Sequence, residues 1–274
     1  MHCTPCTLPS GILIRIGGHN LNVDEILNRI EYTGSREPSL DVLIALQHAY
    51  LYTVPFENLD IHARVKIKLD IPKFYEKIIL NHRGGFCYES NALFSFLLDA
   101  LGFDVSIIAA KMTNSVISSP GYSHMALKVS LDQDYLVDVG NGKSVRDPMP
   151  IPGDVISQSE GIRYKVGQYS SHEYALFYRT EETDWLPRFV FSKDHRHLEE
   201  FSVMCHYHQT SPASIFTQQR LVTLATPNGR ITLTGDTLTI SQDGKEEAQA
   251  IETKERMEEI LNKYFKISVQ LPDY

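Results

Sequence analysis

Three side chains in this sequence have the types needed to act together on an acyl group: Cys87, His124 and Asp138. Cys87 follows the run Asn81-His82-Arg83-Gly84-Gly85-Phe86. Two adjacent glycines let the backbone turn sharply and lie close to another surface. Behind them Ala92, Leu93, Phe96, Leu97, Ala100 and Leu101 recur at helical spacing, and Gly102 suits the position just past a helix end. Cys87 is therefore expected at or just before a helix N-terminus. Free N–H groups and the helix dipole favour a thiolate there, and Arg83 is expected to add positive charge. The same residue also reads as a small buried hydrophobe, as most free cysteines are.

A nucleophilic thiol needs a base, and the base needs an acceptor to orient it. Met125, Leu127, Val129 and Leu131 alternate with polar or small residues, and Tyr135–Val139 follows an Asp-Gln-Asp turn. The pattern predicts a hairpin with His124 at the start of one strand and Asp138 near the end of the other. Both then fall at the end away from the turn. Taken alone, His124 is an ordinary strand histidine and Asp138 caps the following Gly-Asn-Gly turn. An acid at an apolar strand end without a partner is nevertheless costly. Spacing alone leaves open acyl transfer, thiol hydrolysis or transglutaminase-like chemistry.

The surrounding elements fit such a site. Helices are expected over Val23–Ile30, Ser39–Tyr50 and Pro72–Asn81, with Pro72 near the first helical position. Beyond residue 102 the pattern turns to strands: Val105–Ala110, the hairpin, Phe177–Arg179, Phe189–Phe191, Leu221–Thr226 and Ile231–Leu238. Thr253–Phe265 is an amphipathic helix with Met257, Ile260, Leu261 and Tyr264 on one face. Residues 1–20 read as a loose extension, 21–102 as a helical unit, and 103–208 and 209–274 as two further units. The loose extension is expected to be dispensable.

Composition narrows the function. The net charge of −8 leaves no basic excess for nucleic acid. No apolar run is long enough to span a membrane, and no signal-peptide pattern precedes the first helix. Four cysteines in 274 residues are too few for a disulfide framework, which points to a reducing cytoplasm. Cys3-Thr-Pro-Cys6 stands alone, without a second pair to make a zinc site. His195-Arg-His197 and His206-Tyr-His208 would each face one side of a strand, but neither has a carboxylate set at ligand spacing, so no metal is expected.

The sequence resembles the arylamine N-acetyltransferases over nearly all of residues 21–270. The resemblance rests on Pro55-Phe-Glu-Asn-Leu59, Arg83-Gly-Gly-Phe-Cys87, His124, Asp138-Val-Gly140 and Gln209-Thr-Ser-Pro-Ala-Ser-Ile-Phe216. It implies an α+β fold: an N-terminal helical bundle, a central β-barrel and a C-terminal α/β lid around a cysteine-protease- or transglutaminase-like core. It implies a Cys87–His124–Asp138 triad, acetyl-coenzyme A as donor, and an arylamine or hydrazine as acceptor. By the same resemblance Arg83 and Glu57 form an ion pair beside the site. Gly121, Gly140, Tyr207 and Ser214 are expected to contact the coenzyme, and Phe56, Asn141 and Phe216 the acceptor. The family usually has an aromatic residue after Asp-x-Gly, where this chain has Asn141. The competing expectations are a thiol hydrolase or transglutaminase-like enzyme with the same triad, and an inactive ligand-binding homologue.

Overall fold

The computed structural model describes residues 11–113 and 122–271. The chain begins with β1 (Leu13–Ile16), β2 (His19–Asn22), α1 (Val23–Arg29) and α2 (Leu40–Thr53). β3 (Phe56–Glu57), α3 (Leu59–His62), α4 (Ile71–Tyr75), a π-helical turn (Glu76–Leu80) and α5 (Cys87–Ala100) follow. Next come β4 (Asp104–Met112), β5 (His124–Ser130), β6 (Asp134–Val137), β7 (Met149–Pro150), β8 (Ser157–Ser159), β9 (Ile162–Gln168), β10 (Tyr174–Arg179) and β11 (Leu186–His195). A 3-10 turn (Leu198–Phe201) leads into α6 (Ser202–Thr210) and α7 (Ile215–Gln218). The last elements are β12 (Leu221–Thr226), β13 (Gly229–Thr234), β14 (Thr237–Gln242), β15 (Lys245–Ala250) and α8 (Lys254–Phe265).

Side-chain caps fix several of these starts. Asn22, Ser39 and Thr253 accept from the N–H groups of Asp24, Val42 and Arg256, each satisfying a donor that the first helical turn leaves free. Gly102, at φ +89°, ends α5 in the left-handed region. No helix of the described residues is long and apolar enough to cross a membrane.

β4–β11 form one antiparallel sheet in the order β7-β6-β5-β4-β11-β10-β9-β8. It curls into a nearly closed barrel, and the Gly153 N–H beyond β7 donates to the Val166 carbonyl on β9 at 3.3 Å. Ile108, Ala126, Leu136, Val166, Leu176, Phe189 and Phe191 fill the interior. The other face of β4 and β5, with Ala109, Met125, Leu127 and Val129, packs against Leu93, Phe94 and Leu97 of α5 in the main core. β5 is thus covered on both sides, which holds His124 and Met125 beside the start of α5.

A second sheet, β15-β14-β13-β12-β3, packs Val222, Leu233 and Leu238 against Met257, Ile260, Leu261 and Phe265 of α8. Its edge strand β3 comes from the helical part of the chain, so this sheet is not confined to residues 209–274. The single strand expected over Ile231–Leu238 is two strands, divided by a turn at Gly235 with φ +56°.

The expectation that residues 1–20 are loose is corrected for the part described. β1 and β2 form a hairpin, and Ile12, Ile14 and Ile16 pack against the main core. The Val23 N–H donates to the Ile12 carbonyl at 3.0 Å. The alternation of Ile12, Ile14 and Ile16 before Gly17-Gly18 is the sequence signal for this hairpin.

Candidate active site

The Gly84-Gly85 pair lies flat against Pro55–Glu57. A Cβ on Gly84 would sit 2.0 Å from the Pro55 carbonyl oxygen, so no side chain fits. This contact delivers Cys87 as the first residue of α5, with Phe86 as N-cap. Glu89 accepts from the Phe86 N–H at 3.1 Å and from Lys77 Nζ at 3.0 Å. Lys77 also meets Asp60 at 2.8 Å, while Arg83 Nη2 pairs with Glu57 at 2.7 Å and Asp60 at 2.9 Å. Burial works against the Lys77 charge, but Glu57, Glu89 and Asp60 outweigh it and hold the ammonium charged. These charges lock β3, the π-helical turn and the start of α5 together. The positive charge expected to assist Cys87 is therefore committed: Arg83 answers Glu57 and Asp60.

His124 and Asp138 approach the start of α5 from the barrel side. His124 Nε2 lies 2.8 Å from Asp138 Oδ2, with both side chains buried. A carboxylate at Nε2 keeps the neutral-ring proton there and leaves Nδ1 as the basic nitrogen. Asp138 Oδ1 accepts from Asn91 Nδ2 at 3.0 Å and from the Gly140 N–H at 2.9 Å. Gly140 abuts the cysteine itself, since a Cβ there would lie 2.7 Å from Cys87 Cα. The backbone N–H groups of Met125 and Tyr88 act on the Cys87 sulfur in the direction that favours its thiolate. Thiol, imidazole and carboxylate are thus gathered where α5, β5 and the end of β6 meet.

The electrostatics are those of a dry site. Burial pushes the Cys87 thiol well up, with Asp138 adding to the shift, against the pull of the two N–H groups. An isolated thiolate is disfavoured here. Burial works against the Asp138 charge too, but the charge and hydrogen bond of His124, with those of Asn91 and Gly140, outweigh it and hold the carboxyl below its usual range. Rings form a wall nearby: Phe216 lies 6.1 Å from Phe56, 6.1 Å from Phe86 and 5.0 Å from His208.

A family model described as N-acetyltransferase matches residues 39–274. The chain is 32% identical to an arylamine N-acetyltransferase of Gallus gallus, pineal gland isozyme NAT-10, over 91% of this chain and 95% of that one. The chain belongs to the arylamine N-acetyltransferase family. Among solved structures, the Mycobacterium marinum arylamine N-acetyltransferase in complex with CoA aligns with a TM-score of 0.80 and 27% identity, over 89% of this chain and 92% of that one. A Bacillus cereus arylamine N-acetyltransferase, described as having a Cys-His-Glu catalytic triad, aligns with a TM-score of 0.82 and 25% identity, over 90% of this chain and 98% of that one.

The remaining residues singled out from the sequence are placed variously on this acetyltransferase fold. Gly140 is buried against Cys87. Ser214 is buried as the N-cap of α7, its hydroxyl accepting from the Phe216 N–H and donating to the His208 carbonyl. Tyr207 is half-buried on α6. Gly121, Cys3 and Cys6 lie outside the described residues. Asn141 Oδ1 accepts from Arg188 Nη2 at 2.9 Å, which ties the loop after Asp138 to β11. Arg188 reaches it from a bulge that breaks the β10–β11 register.

The His195 and His197 rings lie 5.0 Å apart, whereas the other histidine pair is not on a strand. His206 and His208 lie on α6, nearly opposite each other around the helix, and His195 and His197 flank the end of β11. No cluster suited to a metal occurs among the described residues. His208 is buried between Ser214 and the Ser123 carbonyl, and burial, with the nearby His124, pushes its pKa down to about 4. Asn91 escaped the sequence reading, although a polar residue four positions after Cys87 in an apolar helix was its signal. Arg188 gave none, because a bulge cannot be read from strand composition.

Proposed function

We propose that this chain transfers the acetyl group of acetyl-coenzyme A to the amino group of an arylamine or hydrazine, through an acetyl-Cys87 intermediate. The buried Cys87–His124–Asp138 arrangement carries this reading. In the first half-reaction His124 Nδ1 takes the thiol proton and Asp138 supports the imidazolium. The Cys87 sulfur attacks the acetyl carbonyl, the bond from that carbon to the coenzyme sulfur breaks, and His124 returns the proton to the departing thiolate. In the second, the amine attacks the acetyl-cysteine, His124 takes the amine proton, and Cys87 leaves as the thiolate.

Both steps use one sulfur, so a ping-pong order follows. Cys87 is only 3% exposed, and that burial limits attack by water and favours transfer over hydrolysis. The rings of Phe56 and Phe216, with the buried Phe86 packed edge-on against Phe216, suit a flat acceptor. For the coenzyme, the M. marinum relative supports a CoA site.

The test is initial-rate kinetics with both substrates varied. Parallel double-reciprocal lines, with free coenzyme thiol released continuously only when amine is present, are expected. Sustained thiol release without amine would make the chain a thiol hydrolase.

A further inference from the structure

Asn91 lies four residues after Cys87, so the two share one face of α5 on successive turns. It is completely buried, among Ala92, Leu93, Phe94 and Leu97. An amide in such a place is costly unless its donors and acceptor are met. The partners that meet it all belong to segments carrying reacting groups. Nδ2 donates to the Met125 carbonyl at 2.7 Å, the residue after His124. The same nitrogen donates to Asp138 Oδ1 at 3.0 Å. Oδ1 accepts from the Val139 N–H at 3.0 Å, the residue after Asp138. One side chain therefore joins the helix of the thiol, the strand of the imidazole and the loop of the carboxylate.

We infer that Asn91 is a positioning residue of the acetyl-transfer site, which sets the spacing of Cys87, His124 and Asp138 and selects the ionised, singly oriented carboxylate. The inference rests on the triad reading above. The chemistry of the amide is specific. Both Nδ2 hydrogens are used, one on a carbonyl and one on a carboxylate, while Oδ1 serves an N–H. Aspartate would keep the shape but put a second carboxyl about 3 Å from Asp138. Alanine would leave the Met125 carbonyl and the Val139 N–H without their partner. His124 and Cys87 act electrostatically with Asp138, and Arg146 and Arg230 line the small cavity that Asp138 also borders.

The experiment is single-turnover acetylation of the enzyme by acetyl-coenzyme A, followed by intact mass from about pH 6 to about pH 8.5, a window that spans a raised carboxyl-pair titration. Wild type, Asn91→Asp and Asn91→Ala are compared, with Cys87→Ala as the blank. At the acid end, Asn91→Asp shares a proton with Asp138 and its hydroxyl still donates to Oδ1, so its rate stays nearest wild type. As pH rises the pair loses that proton and the two charges repel, so the rate falls about tenfold or more relative to wild type. Asn91→Ala is slower by about 10- to 100-fold across the range, as misplacement of reacting groups predicts. The ratio of rates at the two ends, within one variant and scaled to its own amplitude, does not depend on how much protein folds. An Asn91→Asp profile parallel to wild type within about threefold overturns the inference. Failure of wild type itself to gain an acetyl mass would overturn the triad reading instead.

Discussion

Replacing Asp138 by Asn removes one charge and almost no volume. In wild type the carboxylate accepts three N–H groups: Asn91 Nδ2 and the Gly140 N–H on Oδ1, and His124 Nε2 on Oδ2. An amide has only one oxygen. The two donors at Oδ1 claim it, so the –NH2 of Asp138→Asn must face His124 Nε2. That nitrogen then has to accept, the ring proton moves to Nδ1, and the base has no lone pair left for the thiol. Burial already holds the thiol proton tightly, so the lost support for the imidazolium is not made up elsewhere. A wrong tautomer in a triad costs about ten-thousandfold, and we expect a loss of about a thousand- to ten-thousandfold in Cys87 acetylation. This corresponds to about 4–5.5 kcal/mol at about 1.36 kcal/mol per tenfold. Every donor keeps a partner, so the melting temperature should move by only a few degrees. Quenched single-turnover acetylation read by mass, alongside a thermal melt, gives both quantities. A folded variant acetylated within about tenfold of wild type would refute the tautomer argument.

Deletion of residues 1–20 should lower stability by roughly 2–4.5 kcal/mol, because Ile12, Ile14 and Ile16 are each about half-buried against the main core and full burial is worth about 1.5–3 kcal/mol each. An unchanged denaturation midpoint would show that the hairpin contributes nothing. Burial holds His208 neutral in the folded chain, its pKa down from 6.5 to about 4. The unfolded chain therefore takes up the proton first, and stability falls as pH drops from about 6.5 to about 4. His208→Leu should reduce the stability difference between pH 7 and pH 5 by about 2 kcal/mol, for about 1.5 units at about 1.36 kcal/mol each. An equal loss of urea-derived stability between pH 7 and pH 5 in both proteins would contradict this. Asn141→Phe releases Arg188 and adds ring area, and should speed deacetylation by flat arylamines about two- to tenfold while leaving Cys87 acetylation unchanged. An unaltered acceptor ranking would remove Asn141 from the acceptor site.

Much of this arrangement was legible in the sequence because it follows local rules. Ser39 and Thr253 opened the expected helices, the Asp-Gln-Asp turn announced the β5–β6 hairpin, and the two glycines announced a close approach, made against Pro55. Tertiary contacts decided the rest. Arg83 looked like a partner for the thiol, but Glu57 and Asp60 claim it through an approach that chain order does not reveal. β15 (Lys245–Ala250) is exposed at every position and has no apolar alternation to detect. α6 mixes Met204 and Cys205 with polar residues, so its histidines passed for a strand pair. The three residues of the proposed triad were visible as residue types on neighbouring elements, whereas Asn91, which bonds to Asp138 and to the residues after His124 and Asp138, was hidden within the apolar run of its own helix.

The most direct test of the account is peptide mass mapping after incubation with acetyl-coenzyme A in the absence of amine. One acetyl group is predicted on the peptide containing Cys87, absent in Cys87→Ala and removed when an arylamine is added. Cys205 should stay unmodified, since it is buried and its thiol is pushed up to about 12, by burial first and then by the charge of Glu89. Acetyl found on Cys205, or a Cys87 adduct that persists in the presence of arylamine, would contradict it.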